Sequence, residues 1–100
     1  MDISTTRDGD SVTIGISGKL DSLTSPKLTE ALAAVLEGGA KSIRIDFGGV
    51  TFISSAGLRV LLQGERNAKK EGVRQVLVNV TEAIMDVFEM TGFTVLLNIN

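Results

Sequence analysis

The chain has 100 residues, 43% of them apolar and 22% charged, which fits one globular domain (residues 1–100) with a modest core. It contains no Cys and no His, which removes thiol nucleophiles, disulfides, imidazole bases and the usual zinc ligand sets. Ten basic residues against twelve acidic ones leave a net charge of −2, a balance with no general attraction to nucleic acid or to an anionic membrane.

In chain order, Ile3–Arg7 reads as a short edge strand, and Asp8-Gly9-Asp10 as the hairpin turn that follows it. Val12, Ile14 and Ile16 alternate with Thr13, Gly15 and Ser17, the period of a strand with one buried face. Ser25-Pro26 is expected to open a first helix, with Ser capping free N–H groups and Pro at the first helical position. Leu28, Ala31, Leu32, Val35 and Leu36 make its apolar stripe, and Gly38-Gly39 ends it. Ile43, Ile45 and Phe47 give the next strand, and Gly48–Ile53 reads as a short connection. A second helix is expected from about Ser55 to Glu71, with Leu58, Leu61, Leu62 and Ala68 inward and Gly72 as its stop. Arg74–Val80 is a Val-rich strand. A third helix, from Thr81 or Glu82 to Met90, turns Ile84, Val87 and Phe88 inward and closes on Gly92. Phe93, Val95, Leu97 and Ile99 alternate as a last strand. The fold class is therefore α/β: a mixed sheet with an initial antiparallel hairpin and helices packed mainly on one face.

No segment reaches the roughly 20 apolar residues that span a bilayer. Met1-Asp2-Ile3-Ser4 has no basic stretch before an apolar run, so no signal peptide is expected and the cytoplasm is the expected location.

Chemistry concentrates between Asp46 and Leu62, where a strand passes into a helix. Strand carboxyl ends are where sites gather in open α/β sheets. A helix start offers unpaired N–H groups and a partial positive charge, and so welcomes a phosphate. Ser54 and Ser55 sit where such a phosphate could be carried covalently, although capping alone is the ordinary role of Ser at a helix start. Gly57 in the first turn leaves room for a close approach, by a partner or by the neighbouring strand. Gly48-Gly49 lacks the Gly-Lys-Ser/Thr that a phosphate-cradling loop needs. Asp21, Asp46 and Glu65 read as solvated carboxylates rather than metal ligands, and no Lys is spaced to activate either Ser. Neither catalysis nor a cofactor is expected.

The run Ile53-Ser54-Ser55-Ala56-Gly57-Leu58, followed by Val60-Leu61-Leu62, resembles the STAS domain family, in particular the bacterial anti-sigma factor antagonists. Gly18-Lys19-Leu20-Asp21 and Met90-Thr91-Gly92-Phe93 extend the resemblance along nearly the whole chain. It implies a partner-switching protein, phosphorylated by an anti-sigma factor with serine-kinase activity, with a serine phosphatase as a further partner. By position the phosphoacceptor is Ser55, with Ser54 as the alternative. The implied partner-binding residues are Asp21, Ser22, Thr24, Ser54, Ser55, Ala56, Gly57 and Arg59. Two departures stand out: Ser54 replaces the Asp of many relatives, and Ala56 replaces their Ser or Thr. A STAS scaffold without phosphorylation, in a transporter or signalling assembly, is the alternative these departures suggest.

Overall fold

A computed structural model describes residues 1–100. The element order is β1 (Asp2–Asp8), β2 (Ser11–Leu20), α1 (Ser25–Glu37), β3 (Ser42–Ile53), α2 (Ser55–Lys70), β4 (Arg74–Val78), α3 (Glu82–Thr91) and a 3-10 turn (Phe93–Val95). The four strands lie in the order β1-β2-β3-β4. β1 and β2 form the antiparallel hairpin across Gly9, whose φ of 62° is one that a side chain disfavours. β2, β3 and β4 run parallel, linked by α1 and α2.

One phase of each strand is buried. Val12, Ile14 and Ile16 of β2 and Ile43, Ile45 and Phe47 of β3 meet Leu28, Leu32 and Val35 of α1, Leu58 and Leu61 of α2, and Ile84 and Phe88 of α3 in a single core. Phe47 and Phe88 are fully buried, with ring centroids 6.0 Å apart and planes tilted by 56°, a favourable aromatic geometry. The opposite phase, with Thr13, Arg44 and Asp46, stays on an open polar face. The sheet is thus covered on one side, as its alternating strands require.

Four expectations change. β3 does not stop at Phe47 but runs through Gly48-Gly49 to Ile53. A Cβ on Gly49 would lie 2.7 Å from the Ser17 Cβ, so the glycine lets β2 and β3 stay paired where the register shifts. The last strand is not formed. Gly92 turns left-handed at the end of α3, the chain enters the 3-10 turn, and only an isolated bridge joins Ile99 to Leu77 at the edge of β4. Thr24, not Ser25, is the N-cap residue of α1, and Ser25 is itself helical and buried.

The fourth change concerns Glu65, expected in solvent but only 4% exposed, with Oε1 unpartnered. Burial pushes its carboxyl above the ordinary value, against the opposing charge of Lys69. Such a group binds its proton more tightly in the folded state. Its favourable contribution is complete below the unfolded value of 4.5 and is lost as pH rises through the folded value. Glu65→Gln should therefore gain on the native chain as pH rises from 4 to 7, read as a widening gap between their urea midpoints.

Candidate functional site

The expected site residues converge on one end of the sheet, where β2 and β3 finish and α1 and α2 begin. The Ser54 N–H donates to the Leu20 carbonyl at 2.9 Å and ties the start of α2 to the end of β2. The Ser54 hydroxyl accepts from the Gly57 N–H at 3.4 Å and is the side-chain cap of α2. Ser55 is the first helical residue and is exposed, outside that cap. The two serines thus divide the work: one anchors the helix, and the other presents its hydroxyl. No acidic residue stands in the first turn, while Lys69 and Lys70 complement the far end, so the positive pole of α2 is uncompensated at Ser55.

Gly57 lies buried beneath this surface. A Cβ there would come within 2.9 Å of the Leu20 carbonyl oxygen, the Leu20 Cγ and the Ile53 Cγ1. The close approach that the sequence suggested is therefore made by the strand ends, and Gly57 supports the site from below. Ala56 is half-buried and Arg59 exposed.

The loop from Asp21 to Thr24 is held by its own side chains. Asp21 Oδ1 accepts from the Leu23 N–H at 3.0 Å and the Thr24 N–H at 3.1 Å. The Thr24 hydroxyl accepts from the Asp21 N–H at 2.9 Å and donates to the Lys19 carbonyl at 2.8 Å. Desolvation would raise the Asp21 carboxyl, but the hydrogen bonds from Thr24 and Leu23, with the Lys19 charge, hold it below the ordinary value. The loop is thus pre-ordered, with Ser22 exposed on it.

Two apolar residues were not singled out from the sequence. Leu23 is 86% exposed in this loop and Phe52 is 49% exposed at the end of β3. Phe52 faces outward because the register shift near Gly18 changes the phase, pairing it with Lys19. A regular strand over Gly48–Ile53 would put Phe52 on the same buried face as Val50, two residues before it, so only the irregularity beside Gly18 reveals its exposure.

The remaining acidic candidates are dispersed. Asp46 Oδ1 accepts from the Gly48 N–H and the Asn79 side-chain amide on the open face, Glu65 lies inside α2, and no His/Cys/Asp/Glu group is placed to hold a metal. No helix is long and apolar enough to cross a membrane.

A parallel sheet with an antiparallel hairpin, covered on one face and carrying a capped helix start at its carboxyl edge, agrees with the family comparison. Residues 3–98 match the family model described as Mlab, STAS domain. The chain belongs to the STAS domain family. Among its relatives are the anti-sigma-B factor antagonist of Listeria monocytogenes, 29% identical over 93% of this chain and 82% of the relative, and that of Bacillus subtilis, 30% identical over 89% and 81%. In fold it is similar to unphosphorylated SpoIIAA, an anti-sigma factor antagonist, with a TM-score of 0.83 at 20% identity over 99% of this chain and 88% of that one. An anti-sigma factor antagonist from Mycobacterium paratuberculosis gives 0.86 at 23% identity over 98% and 83%. The relatives matched by sequence are named as regulators.

Proposed function

We propose that this protein is an anti-sigma factor antagonist that works by partner switching, with the Ser55 hydroxyl as its phosphoacceptor. The observation that carries the assignment to Ser55 is the separation of the two serines: Ser54 is spent on the cap, whereas Ser55 is exposed at the positive pole of α2. In the unphosphorylated state the surface formed by Asp21, Ser22, Thr24, Ser54, Ser55, Ala56 and Arg59, with Gly57 beneath it, binds an anti-sigma factor that is itself a serine kinase. Leu23 and Phe52 add apolar anchors of the kind that dominate binding energy. The kinase supplies the chemistry, a serine phosphatase resets the cycle, and the protein acts in the cytoplasm without catalysis of its own.

The test is phosphoryl transfer from ATP by a purified serine-kinase anti-sigma factor, followed by intact-mass and fragment spectrometry. One phosphate on Ser55, absent from Ser55→Ala and retained in Ser54→Ala, is the expected result. Phosphate on Ser54 would reassign the acceptor. No phosphate, with binding intact, would leave an unphosphorylated scaffold.

A further inference from the structure

Beside the switch, α1 and α2 enclose a cleft of about 330 Å³, near the lower end of ligand-sized clefts. Leu32 and Leu36 of α1 face Ala56, Val60 and Gly64 of α2 across it, and hydroxyl and amide side chains complete the lining. The helices approach closely at Gly64, where a Cβ would meet the Leu32 Cδ1 at 2.9 Å. Arg59 is the only charged residue among the eleven that line the cleft. Its walls therefore favour an apolar occupant, and its single cation favours one carrying a negative charge.

We propose that this cleft continues the docking surface and takes an apolar segment of the anti-sigma partner bearing a carboxylate, which Arg59 binds. The proposal rests on the antagonist reading above. Ala56 and Arg59 belong both to the cleft and to the helix start, so a segment seated here passes directly beside Ser55. A basic segment is rejected by the same Arg59, so the cleft contributes to partner choice as well as to affinity.

The spacing also links the cleft to the switch. Ser55 and Arg59 are four residues apart on α2 and both exposed, a separation that puts Cβ atoms about 6 Å apart on one helix face. A phosphate on Ser55 can take the Arg59 guanidinium in a charge-assisted pair. Phosphorylation thus withdraws from the partner the cation that its carboxylate requires.

The test is calorimetric titration of the serine-kinase anti-sigma factor with the native protein, Arg59→Gln, Val60→Trp, which fills the cleft, and Lys70→Gln as a control at the far end of α2. Arg59→Gln should weaken binding about tenfold and flatten its salt dependence. Val60→Trp should weaken it at least as much, and Lys70→Gln should leave it unchanged. Arg59→Gln is a surface change and keeps the test decisive if Val60→Trp fails to fold. Repeating the native and Arg59→Gln titrations with phosphorylated protein completes a cycle in which the phosphate should cost about tenfold less without Arg59. Native-like affinity in both cleft variants would overturn the cleft and leave the antagonist reading standing. Strictly additive effects of phosphate and Arg59→Gln would overturn the capture of Arg59. Failure of the native protein to bind would overturn the antagonist reading and this proposal with it.

Discussion

Phosphorylation of Ser55 should weaken anti-sigma factor binding more than a hundredfold while leaving the melting temperature essentially where it was. The phosphate adds about −1.5 to −2 charges at pH 7. In the free protein that charge falls on the positive pole of α2, where the first turn has no acidic residue to repel it. The same charge in a docked interface must be desolvated between surfaces packed for an uncharged hydroxyl. A loss of about 3 kcal/mol there exceeds a hundredfold in affinity. Calorimetric titration, with differential scanning calorimetry of both forms, separates the two effects. A fall in melting temperature matching the loss of binding would mean that the phosphate acts by unfolding. Ser55→Asp should reproduce only part of the loss, because it carries a single charge on a shorter side chain.

Gly57→Ala should destabilise the protein by about 2 kcal/mol, although Ala is the better helix former by about 1 kcal/mol. The added methyl meets the Leu20 carbonyl oxygen at 2.9 Å, and a backbone atom cannot rotate aside as a side-chain terminus can. Relief requires the start of α2 to lift from the ends of β2 and β3, which would also strain the Ser54–Leu20 hydrogen bond. The midpoint of thermal unfolding should fall by about 10 °C. The variant should also bind the partner more weakly than its folded fraction alone explains, because the displaced element carries Ser55. An unchanged or raised melting temperature would show that helix propensity outweighs the contact.

The alternating residues of β2 and the Ile43–Phe47 half of β3 were legible because each strand buries one face only. The stripes of α1 and α2 were legible for the same reason at helical spacing. What escaped depended on tertiary contact. Gly48-Gly49 looks like a strand breaker, and only the closeness of Ser17 reveals that β3 needs glycine there. Phe93–Ile99 has the pattern of a strand, yet its residues serve a 3-10 turn and a single bridge, leaving Val95 86% exposed. Glu65 reads as a solvent residue because the sequence does not show which helical positions lie under a neighbour. At the site, the chemistry of Ser54-Ser55 gave two equivalent hydroxyls. The cap geometry distinguishes them, through one weak bond to the Gly57 N–H.

The strand order β1-β2-β3-β4 has a consequence for how the chain reaches its native state. Every paired strand is the sequence neighbour of its partner, so no position in the sheet must be held open for a segment that arrives later. The sheet can grow from the Gly9 hairpin by adding one strand at a time to a single edge. Each addition closes a loop of a few tens of residues, and the entropic cost of closure rises only slowly with that length. Topologies dominated by such near-neighbour pairings fold faster than those that thread distant strands together.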